Sequence, residues 1–400
     1  MHQDRIKIKV SKSLQGKIRK GFPWVHYYQL NNRKISGKAG DLGVVYDSNN
    51  RFLAIGLFDP FSDIRLRILQ TRKPREIDET FFRERLQQAL DLRSSLSSQK
   101  TTAYRMVNGE NDGFPGMVVD RYNDILVIKV YTSAWFPYLK MLVGLLEEMA
   151  GPRQVLLQLS RHVQRISENG YQDNQMLLGP GLEKPVRFKE NGLTFEADLL
   201  HGQKTGFFLD QRDNRQKVRE LAEGRSVLNV FSYTGAFSVY ALAGGARSVL
   251  EIDVNAQAQA AALRNWELNF GSDVNQKDRL RQIKGDAFEQ LASLKREGKQ
   301  FDLVILDPPA FASSKQNKKN ALQAYLRLAK AGALCTRDGG ILLAASCSAQ
   351  VRSEEFYRAV DLGLRATGRS FQKLLKTGHP LDHPVTFKEG AYLKAIYCQF

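Results

Sequence analysis

The chain has 400 residues, which is more than one hydrophobic core usually holds, so we expect two or three domains. Its composition, 42% hydrophobic and 25% charged, excludes a disordered protein, and its net charge of +17 predicts a polyanionic partner, nucleic acid before membrane. Residues 1–7 lack the apolar core of a secretory signal, and no apolar run is long enough to span a membrane. Because Cys335, Cys347 and Cys398 are too few and too far apart for a disulfide scaffold or a clustered zinc site, we expect a reduced, cytoplasmic protein.

The positive charge is distributed unevenly along the chain. Residues 1–75 hold 16 Lys and Arg against 5 Asp and Glu, a net of +11. Residues 76–185 hold 12 against 14, a net of −2, and residues 186–400 hold 31 against 23, a net of +8. We therefore predict three domains with these boundaries: a basic module, a nearly neutral central α+β linker domain, and a basic C-terminal domain.

The N-terminal module has the pattern of a small β-barrel. Apolar and polar residues alternate over residues 6–10, and three further short strands are predicted at 42–47, 52–57 and 64–69. Between the strand at 6–10 and the strand at 42–47 lies the segment of residues 17–28, in which aromatic residues are interleaved with basic ones. The basic residues are Lys17, Arg19 and Lys20. This pattern suits phosphate contacts with base stacking, although a solvated basic face over an aromatic core would give the same pattern.

The central domain combines helices and strands. Helices are predicted at 78–96 and 137–149, and a strand at 154–159. Between the two helices, strands at 117–122 and 125–130 flank Asn123-Asp124, a pair that fits a two-residue hairpin turn.

The C-terminal half alternates apolar strands with helices. The strands are predicted at 227–230, 248–253, 301–306 and 340–345, and one intervening helix at 256–269. This alternation predicts an α/β fold with a doubly wound, Rossmann-like sheet. In such sheets ligands bind beyond the carboxyl ends of the strands.

The ends of the first strands predict a nucleoside cofactor. The first strand is followed by a tight turn with a single glycine, and the later ends carry acids that suit ribose hydroxyls and an adenine amino group. The predicted contacts are Ser232, Tyr233, Thr234, Gly235, Asp253, Asp286 and Ala287. Since the turn lacks the glycine density of a pyrophosphate loop, the pattern argues against an NAD-dependent dehydrogenase.

The ends of the last two strands predict a substrate site. Asp307-Pro308-Pro309-Ala310-Phe311 has a rigid backbone that holds Asp307 and presents Phe311 to a planar base, and Lys315 lies in a basic loop beyond it. Cys347, between two serines at the end of a parallel strand, is a candidate nucleophile, whereas the other cysteines are interpreted as buried. The histidines lack the spacing of a metal set, so no metal is predicted.

These motifs resemble a known family. The segment from Asn229 to Gly235, the acids Asp253, Asp286 and Asp307, and Ser346-Cys347-Ser348 are similar to the ordered motifs of class I S-adenosylmethionine-dependent methyltransferases. Residues 203–212, 108–116 and 382–384 resemble the ribosomal RNA large subunit methyltransferase I family, and residues 1–75 resemble a PUA domain. The resemblance covers nearly the whole chain.

The resemblance implies S-adenosylmethionine as the cofactor, with Phe208, Gln211, Arg212 and Asp307 joining the predicted contacts. It also implies large-subunit (23S) ribosomal RNA as the partner, no membrane, and a homodimer as one candidate assembly. The implied reaction is methylation of cytosine at C5. Addition of the Cys347 thiolate to C6 would make C5 nucleophilic, and Asp307 would stabilise the charge that develops on the base.

Two positions depart from related patterns, and two alternative functions stay open. Asn229 stands where an acid is often found, and Ala310 stands where two-cysteine cytosine-5 methyltransferases have a second cysteine. Methylation of an amino group, N6 of adenine or N2 of guanine, would use Asp307-Pro308-Pro309 without the cysteine. An RNA-binding ribosome assembly factor with a vestigial cofactor pocket is the other alternative.

Overall fold

A computed structural model describes residues 5–31, 35–166, 170–271, 278–312 and 316–400. Its contacts divide the chain into two compact units. The first unit comprises Met1–Phe188, Ala197–Leu209 and Leu381–Gly390, and the second comprises Lys189–Glu196, Asp210–Pro380 and Ala391–Phe400. The predicted domains 1–75 and 76–185 both fall in the first unit, each with a sheet of its own. The division into three domains stays a prediction.

The first unit begins with a five-stranded sheet in the order β1-β3-β4-β5-β2. Its elements are β1 (Arg5–Lys9), α1 (Lys12–Arg19), β2 (Trp24–His26), β3 (Leu42–Tyr46), β4 (Phe52–Phe58) and β5 (Ile64–Thr71). Strands β1 and β3 are parallel, and the other neighbours are antiparallel. The alternation in the sequence buries Ile8 against Leu14 and Ile18 of α1. Neither α1 nor β2 was predicted, since their basic and aromatic residues obscure the period.

A second five-stranded sheet, in the order β10-β9-β8-β7-β6, completes the first unit. The elements are α2 (Glu79–Leu92), α3 (Ser95–Ser98), β6 (Ala103–Asn108), β7 (Met117–Tyr122), β8 (Ile125–Val130), α4 (Leu139–Ala150), β9 (Gln154–Leu159), α5 (Arg161–Ile166) and β10 (Gln175–Leu178). The predicted hairpin of β7 and β8 is confirmed. Asn123 in its turn has a φ of 60°, a conformation that asparagine tolerates better than most residues.

The core of the first unit is shared by its two sheets. Leu57 and Leu69, from the N-terminal sheet, belong to the same buried cluster as Phe82, Trp135 and Leu157. The N-terminal sheet therefore depends on the second sheet for part of its core. This has a consequence for truncation experiments, because cutting the chain between the two sheets would expose apolar surface.

The rest of the chain forms a hairpin and a seven-stranded α/β sheet. The elements are β11 (Val186–Glu190), β12 (Leu193–Ala197), α6 (Arg212–Leu221), β13 (Ser226–Val230), α7 (Ala236–Ala243), β14 (Ser248–Asp253), α8 (Ala256–Phe270), β15 (Leu280–Lys284), α9 (Ala287–Arg296), β16 (Phe301–Leu306), α10 (Lys318–Leu334), β17 (Thr336–Ser346), α11 (Ser353–Arg365), β18 (Gln372–Thr377) and β19 (Lys394–Gln399). The sheet order is β15-β14-β13-β16-β17-β19-β18. Strands β13 to β17 are parallel to one another, and β19 runs antiparallel between β17 and β18.

This topology confirms the predicted Rossmann-like sheet and locates its crevice. The chain builds outward from β13 to β15, then returns to the other side of β13 to build β16 and β17. At such a reversal the loops on the carboxyl ends of the strands diverge, and the crevice between them is where ligands bind.

Among the described helices, none is long and apolar enough to cross a membrane.

Candidate functional site

The turn after β13 has an unusual backbone. Phe231 and Tyr233 have φ values of 62° and 47°, and Gly235 has a φ of 73°. Non-glycine residues in the left-handed region are uncommon and cluster at functional sites, because the surrounding structure must hold them there. Here the carbonyl of Ile252 on β14 accepts hydrogen bonds from the backbone N–H groups of Phe231 and Ser232, at 2.9 and 3.1 Å.

Close packing constrains this turn, and one buried hydroxyl on it fits a polar ligand. A Cβ on Gly235 would lie 2.7 Å from Ala262 Cβ and 2.8 Å from Glu251 Oε1, so only glycine is accommodated. The Ser232 hydroxyl is buried and has no hydrogen-bond partner within the described residues. Because an unpaired buried hydroxyl is costly, a ligand or water that bonds it would be favoured. Tyr233 and Thr234, the other predicted contacts, lie on the same turn.

Asp253 lies at the end of β14 and joins the turn. Its carboxylate accepts hydrogen bonds from the backbone N–H of Tyr233 and of Asn255, each at 2.8 Å. The hydrogen bond from Tyr233 connects Asp253, the residue predicted to bind the ribose hydroxyls, to the turn after β13. The two strand ends therefore form one hydrogen-bonded arrangement.

Asp286 acts first as a helix cap. Its Oδ1 accepts from the backbone N–H groups of Phe288 and Glu289, at 2.9 and 3.2 Å, at the start of α9. Such a cap contributes about 1 kcal/mol to stability. Both bonds use Oδ1, so Oδ2 takes no part in the cap. Asp286 is exposed, and Ala287 is buried.

Asp307, at the end of β16, is linked to the segment that precedes the sheet. The amide nitrogen of Gln211 donates to Asp307 Oδ1 at 2.9 Å, and Asn214 donates to Gln211 Oε1 at 2.6 Å. Gln211 and Asn214 are almost fully buried. Arg212, the residue after Gln211, is also buried, and its Nε lies 3.5 Å from Asp213 Oδ1.

Phe208 is the one predicted cofactor contact that falls in the first unit. There the Lys204 ammonium lies 4.4 Å from the centre of its ring. The other predicted cofactor contacts belong to the second unit.

Phe311 packs into a group of aromatic rings. Its ring centre lies 5.0 Å from that of Tyr325 on α10 and 6.4 Å from that of Phe231 in the turn after β13. Pro308 is buried and Pro309 is exposed. The Asp-Pro-Pro loop therefore brings one aromatic side chain to the region of the strained turn. Lys315 lies outside the described residues.

Cys347 differs from the other two cysteines in its surroundings. It directly follows β17 and is half-buried, whereas Cys335 and Cys398 are fully buried. Burial raises the pKa of both buried thiols to about 11, which keeps them protonated near neutral pH. Strands β16 and β17 are adjacent and in register, with Leu306 opposite Ala344, so Asp307 and Cys347 follow neighbouring strand ends.

Two residues that the sequence analysis did not single out lie next to Cys347. The hydroxyl of Ser346 donates to the Tyr325 hydroxyl at 2.8 Å, and burial raises the pKa of Tyr325 to about 12. Lys394, the first residue of β19, is almost fully buried and directs its ammonium at the loop after β17. In the sequence, the feature that could have pointed to Lys394 is its place inside the apolar run Leu393-Lys394-Ala395-Ile396.

The predicted RNA-binding residues lie on the surface of the first unit. Lys17 and Arg19 are in the last turn of α1 and Lys20 caps it, and all three are exposed. Arg19 also forms an ion pair with Asp47 at 3.2 Å. Their side chains therefore offer positive charge to solvent at one end of a short helix.

Aromatic side chains continue from this helix along β2. Alternate residues carry the rings, and the centres of neighbouring rings are 5.8 Å apart for Phe22 and Trp24, 6.3 Å for Trp24 and His26, and 5.4 Å for His26 and Tyr28. The last pair is stacked with 17° between the rings, and Tyr28 is 69% exposed. Phe22, Trp24 and His26 are half-buried and Tyr28 is exposed, so base stacking by these rings stays a prediction.

No group of three or more His, Cys, Asp or Glu that could hold a metal occurs within the described ranges.

Comparisons with known proteins agree along nearly the full chain. Residues 117–361 match the family described as S-adenosylmethionine-dependent methyltransferase, and residues 8–71 match a PUA-like domain. A ribosomal RNA large subunit methyltransferase from Deinococcus radiodurans is 45% identical over 99% of this chain and 97% of its own. A ribosomal RNA large subunit methyltransferase I from Alteromonas mediterranea is 33% identical over 96% of both.

Solved structures share the fold. A protein from Streptococcus mutans, described as a SAM-dependent methyltransferase, superposes with a TM-score of 0.84 over 99% of this chain and all of its own, at 23% identity. A methyltransferase complexed with SAH superposes with a TM-score of 0.83. At this level of identity the structures are evidence for the fold alone.

Proposed function

Because this chain belongs to the S-adenosylmethionine-dependent methyltransferase family, we propose that it methylates C5 of a cytosine in large-subunit (23S) ribosomal RNA. S-adenosylmethionine is its cofactor, and the large-subunit RNA follows from the names of the two relatives. The choice of C5 rests on one observation: the half-buried thiol of Cys347 follows β17 next to the strand end that carries Asp307, whereas the other thiols are buried and protonated.

The cofactor would be held by the turn after β13 and the acids around it. Ser232 has the unpaired buried hydroxyl, Asp253 is bonded to the turn, and Asp286 and Gln211 are the further polar candidates. When bound, S-adenosylmethionine supplies a methyl group on a positively charged sulfur. The remaining steps require a nucleophilic C5, which a free cytosine does not have.

In the proposed reaction the Cys347 thiolate forms a bond to C6, the electron pair of the C5=C6 bond forms a C4=C5 bond, and the pair of the C4=N3 bond moves onto N3. The resulting enamine has a nucleophilic C5. Asp307, with a proton on one carboxyl oxygen, donates to N3 and accepts from the amino group of the base, which stabilises the negative charge that develops at N3. After the methyl group is bonded to C5, the C5 proton leaves to water. The bond between Cys347 and C6 then breaks, which restores the C5=C6 double bond.

The target base must be accessible for this attack. A cytosine stacked in a duplex hides both faces of C6, so it must lie in a loop or be flipped out. Phe311, which follows Pro308 and Pro309 in the loop after β16, is the candidate to stack on such a base. Lys17, Arg19 and Lys20 would bind phosphates of the same RNA, with the stacked rings of β2 beside them.

Exchange of Cys347 for alanine tests the proposal. We expect the Cys347→Ala protein to lose C5 methylation of unmodified ribosomal RNA while it still binds S-adenosylmethionine, as measured by mass spectrometry of nucleosides and by calorimetry. Cys335→Ala is the matched control. Transfer of the methyl group to an adenine or guanine amino nitrogen by the wild-type protein would instead support the amino-group alternative.

RNA that contains 5-fluorocytosine provides a second test. With fluorine at C5 there is no proton to leave, so the bond between Cys347 and C6 does not break. The wild-type protein should therefore form a covalent complex through Cys347, and the alanine variant should not. Absence of cofactor binding would favour the assembly-factor alternative. The homodimer stays a prediction, which sedimentation of the purified protein would test.

A further inference from the structure

Lys394 is a buried cation next to the proposed nucleophile. It is 1% exposed and lies opposite Ser346 in the register of β17 and β19, so it neighbours the residue that directly precedes Cys347. Lysine is rarely buried to this extent unless it is paired, because removing an ammonium from water is costly. Its position therefore calls for a compensating role.

All three protons of the ammonium are used in hydrogen bonds. Lys394 Nζ donates to the carbonyls of Ser348 at 2.5 Å, Val351 at 2.6 Å and Tyr392 at 3.0 Å. Two of these acceptors belong to the loop that begins with Cys347. The lysine therefore fixes the loop, and since its three acceptors are neutral carbonyls, its positive charge is not neutralised by a direct hydrogen bond.

The charge of Lys394 is coupled to that of Cys347. Burial lowers the pKa of Lys394 to about 8, and negative charge on Cys347 and then on Glu355 opposes the lowering. The coupling is reciprocal, so a protonated lysine favours the thiolate to the same extent that the thiolate favours the protonated lysine.

Other groups around the thiol act in different directions. Tyr325 on α10 is neutral near pH 7, because burial raises its pKa to about 12. Asp307 follows β16, the strand next to β17, and Glu355 on α11 is paired with Lys318 at 2.7 Å. Among these groups Lys394 is the cation that contacts the loop itself.

We infer that Lys394 is a positioning residue for the proposed reaction, which holds the loop after β17 and stabilises the Cys347 thiolate. The inference rests on the proposed function of Cys347 as a nucleophile. Formation of a thiolate nearby would offset part of the cost of burying the Lys394 ammonium.

The rate of alkylation by iodoacetamide measures the thiolate without RNA or turnover. Cys335 and Cys398 are fully buried, so the reaction of the folded protein reports Cys347, and peptide mass spectrometry identifies the modified residue. We expect Lys394→Gln to raise the pKa in the alkylation profile by about one pH unit, which slows alkylation about tenfold at pH values below the wild-type pKa. The methyl-transfer kcat should fall by a similar factor, with its pH profile displaced in the same direction.

Lys394→Arg is the matched variant, because it keeps the charge and should recover most of the alkylation rate. Affinity for S-adenosylmethionine should change less than twofold in both variants. If Lys394→Gln folds and its alkylation profile matches that of the wild type, the lysine is only a structural contact and the inference is wrong. If the variant does not fold, the wild-type profile decides: a Cys347 thiol that titrates at or above the ordinary value of about 8.5 also overturns it.

These outcomes are separate from those of the proposed function. Continued C5 methylation by Cys347→Ala would refute the nucleophile, whatever the alkylation profile of Lys394→Gln. Conversely, an unchanged alkylation profile would leave Cys347 as the nucleophile and remove only the role of Lys394.

Discussion

Gly235→Ala is expected to damage the turn after β13 more than its small size suggests. Gly235 has a φ of 73°, a left-handed conformation that costs a residue with a Cβ about 1–2 kcal/mol. The new Cβ would also lie 2.7 Å from Ala262 Cβ and 2.8 Å from Glu251 Oε1. Both neighbours are buried, and overpacking of this kind costs about 1–3 kcal/mol. The expected loss in the free energy of unfolding is therefore about 2–5 kcal/mol.

Gly224→Ala is the matched control. Gly224 has nearly the same φ, 67°, but a Cβ there would have no atom within 4 Å. Its substitution should cost only the backbone part, about 1–2 kcal/mol. The difference between the two variants isolates the steric part at the turn.

Urea denaturation gives the free energies of unfolding, and calorimetry gives the affinity for S-adenosylmethionine. We expect Gly235→Ala to weaken cofactor binding about tenfold, equivalent to 1.4 kcal/mol, because relief of the clash displaces the turn that carries Ser232. Gly224→Ala should bind the cofactor as the wild type does. If the two variants lose equal stability and bind equally well, the turn adapts easily and the argument from close packing is wrong.

Three further predictions concern charge. Replacing Lys17, Arg19 and Lys20 together by alanine should weaken RNA binding and reduce the slope of log affinity against log salt by about 2, as a salt series of binding measurements would show. Burial raises the pKa of Glu251 to about 7, so the folded state binds the Glu251 proton more tightly than the unfolded state does. The free energy of unfolding of the wild type therefore falls as pH rises from about 4.5 to 7. Relative to the wild type, Glu251→Gln should gain up to about 3 kcal/mol in the free energy of unfolding across that interval. Asp120→Asn should lower the free energy of unfolding by about 3–5 kcal/mol, because it leaves the arginine of a buried ion pair uncompensated.

Each of these has an outcome that would contradict it. An unchanged salt slope in the triple variant would mean that the end of α1 is only a solvated surface. A constant stability difference between Glu251→Gln and the wild type from pH 4.5 to 7 would contradict the raised pKa. A loss below 1 kcal/mol in Asp120→Asn would mean that water reaches the ion pair.

The structure explains why point substitutions are preferable to truncation for testing RNA binding. The sequence suggested a separable N-terminal module, because its charge differs so clearly from that of the central residues. In the structure Leu57 and Leu69 share a core with Phe82 and Trp135, so removal of residues 1–75 would expose that core. A loss of RNA binding after truncation could then reflect unfolding rather than the loss of phosphate contacts.

The strand ends of the C-terminal sheet were predictable from the sequence, because a strand end and the residue that follows it are neighbours in the chain. Apolar runs identified β13, β14, β16 and β17, and the residues at their ends or within two positions after them are Ser232, Asp253, Asp307 and Cys347. The parallel arrangement then brings these positions to one edge of the sheet. The family resemblance added the cofactor, which the comparisons confirm.

What the sequence could not supply are contacts between distant segments. Lys394 follows Cys347 by 47 positions and reaches its loop only because β19 inserts antiparallel beside β17. Likewise, Thr205 donates to Asp120 at 2.6 Å, and Arg93 donates to the carbonyl of Asp382 at 2.9 Å. The order in which strands pair is set by how the whole core packs, not by local periodicity.

The sequence by itself thus determined the basic charge, the alternation of strands and helices, and the types of residue at each strand end. Only the tertiary structure decided that Asp286 caps a helix and that a buried lysine contacts the loop that begins with Cys347. The reason is physical: burial and hydrogen bonding depend on which segments pack together in space, and a local pattern records only the tendency of one segment to bury a face.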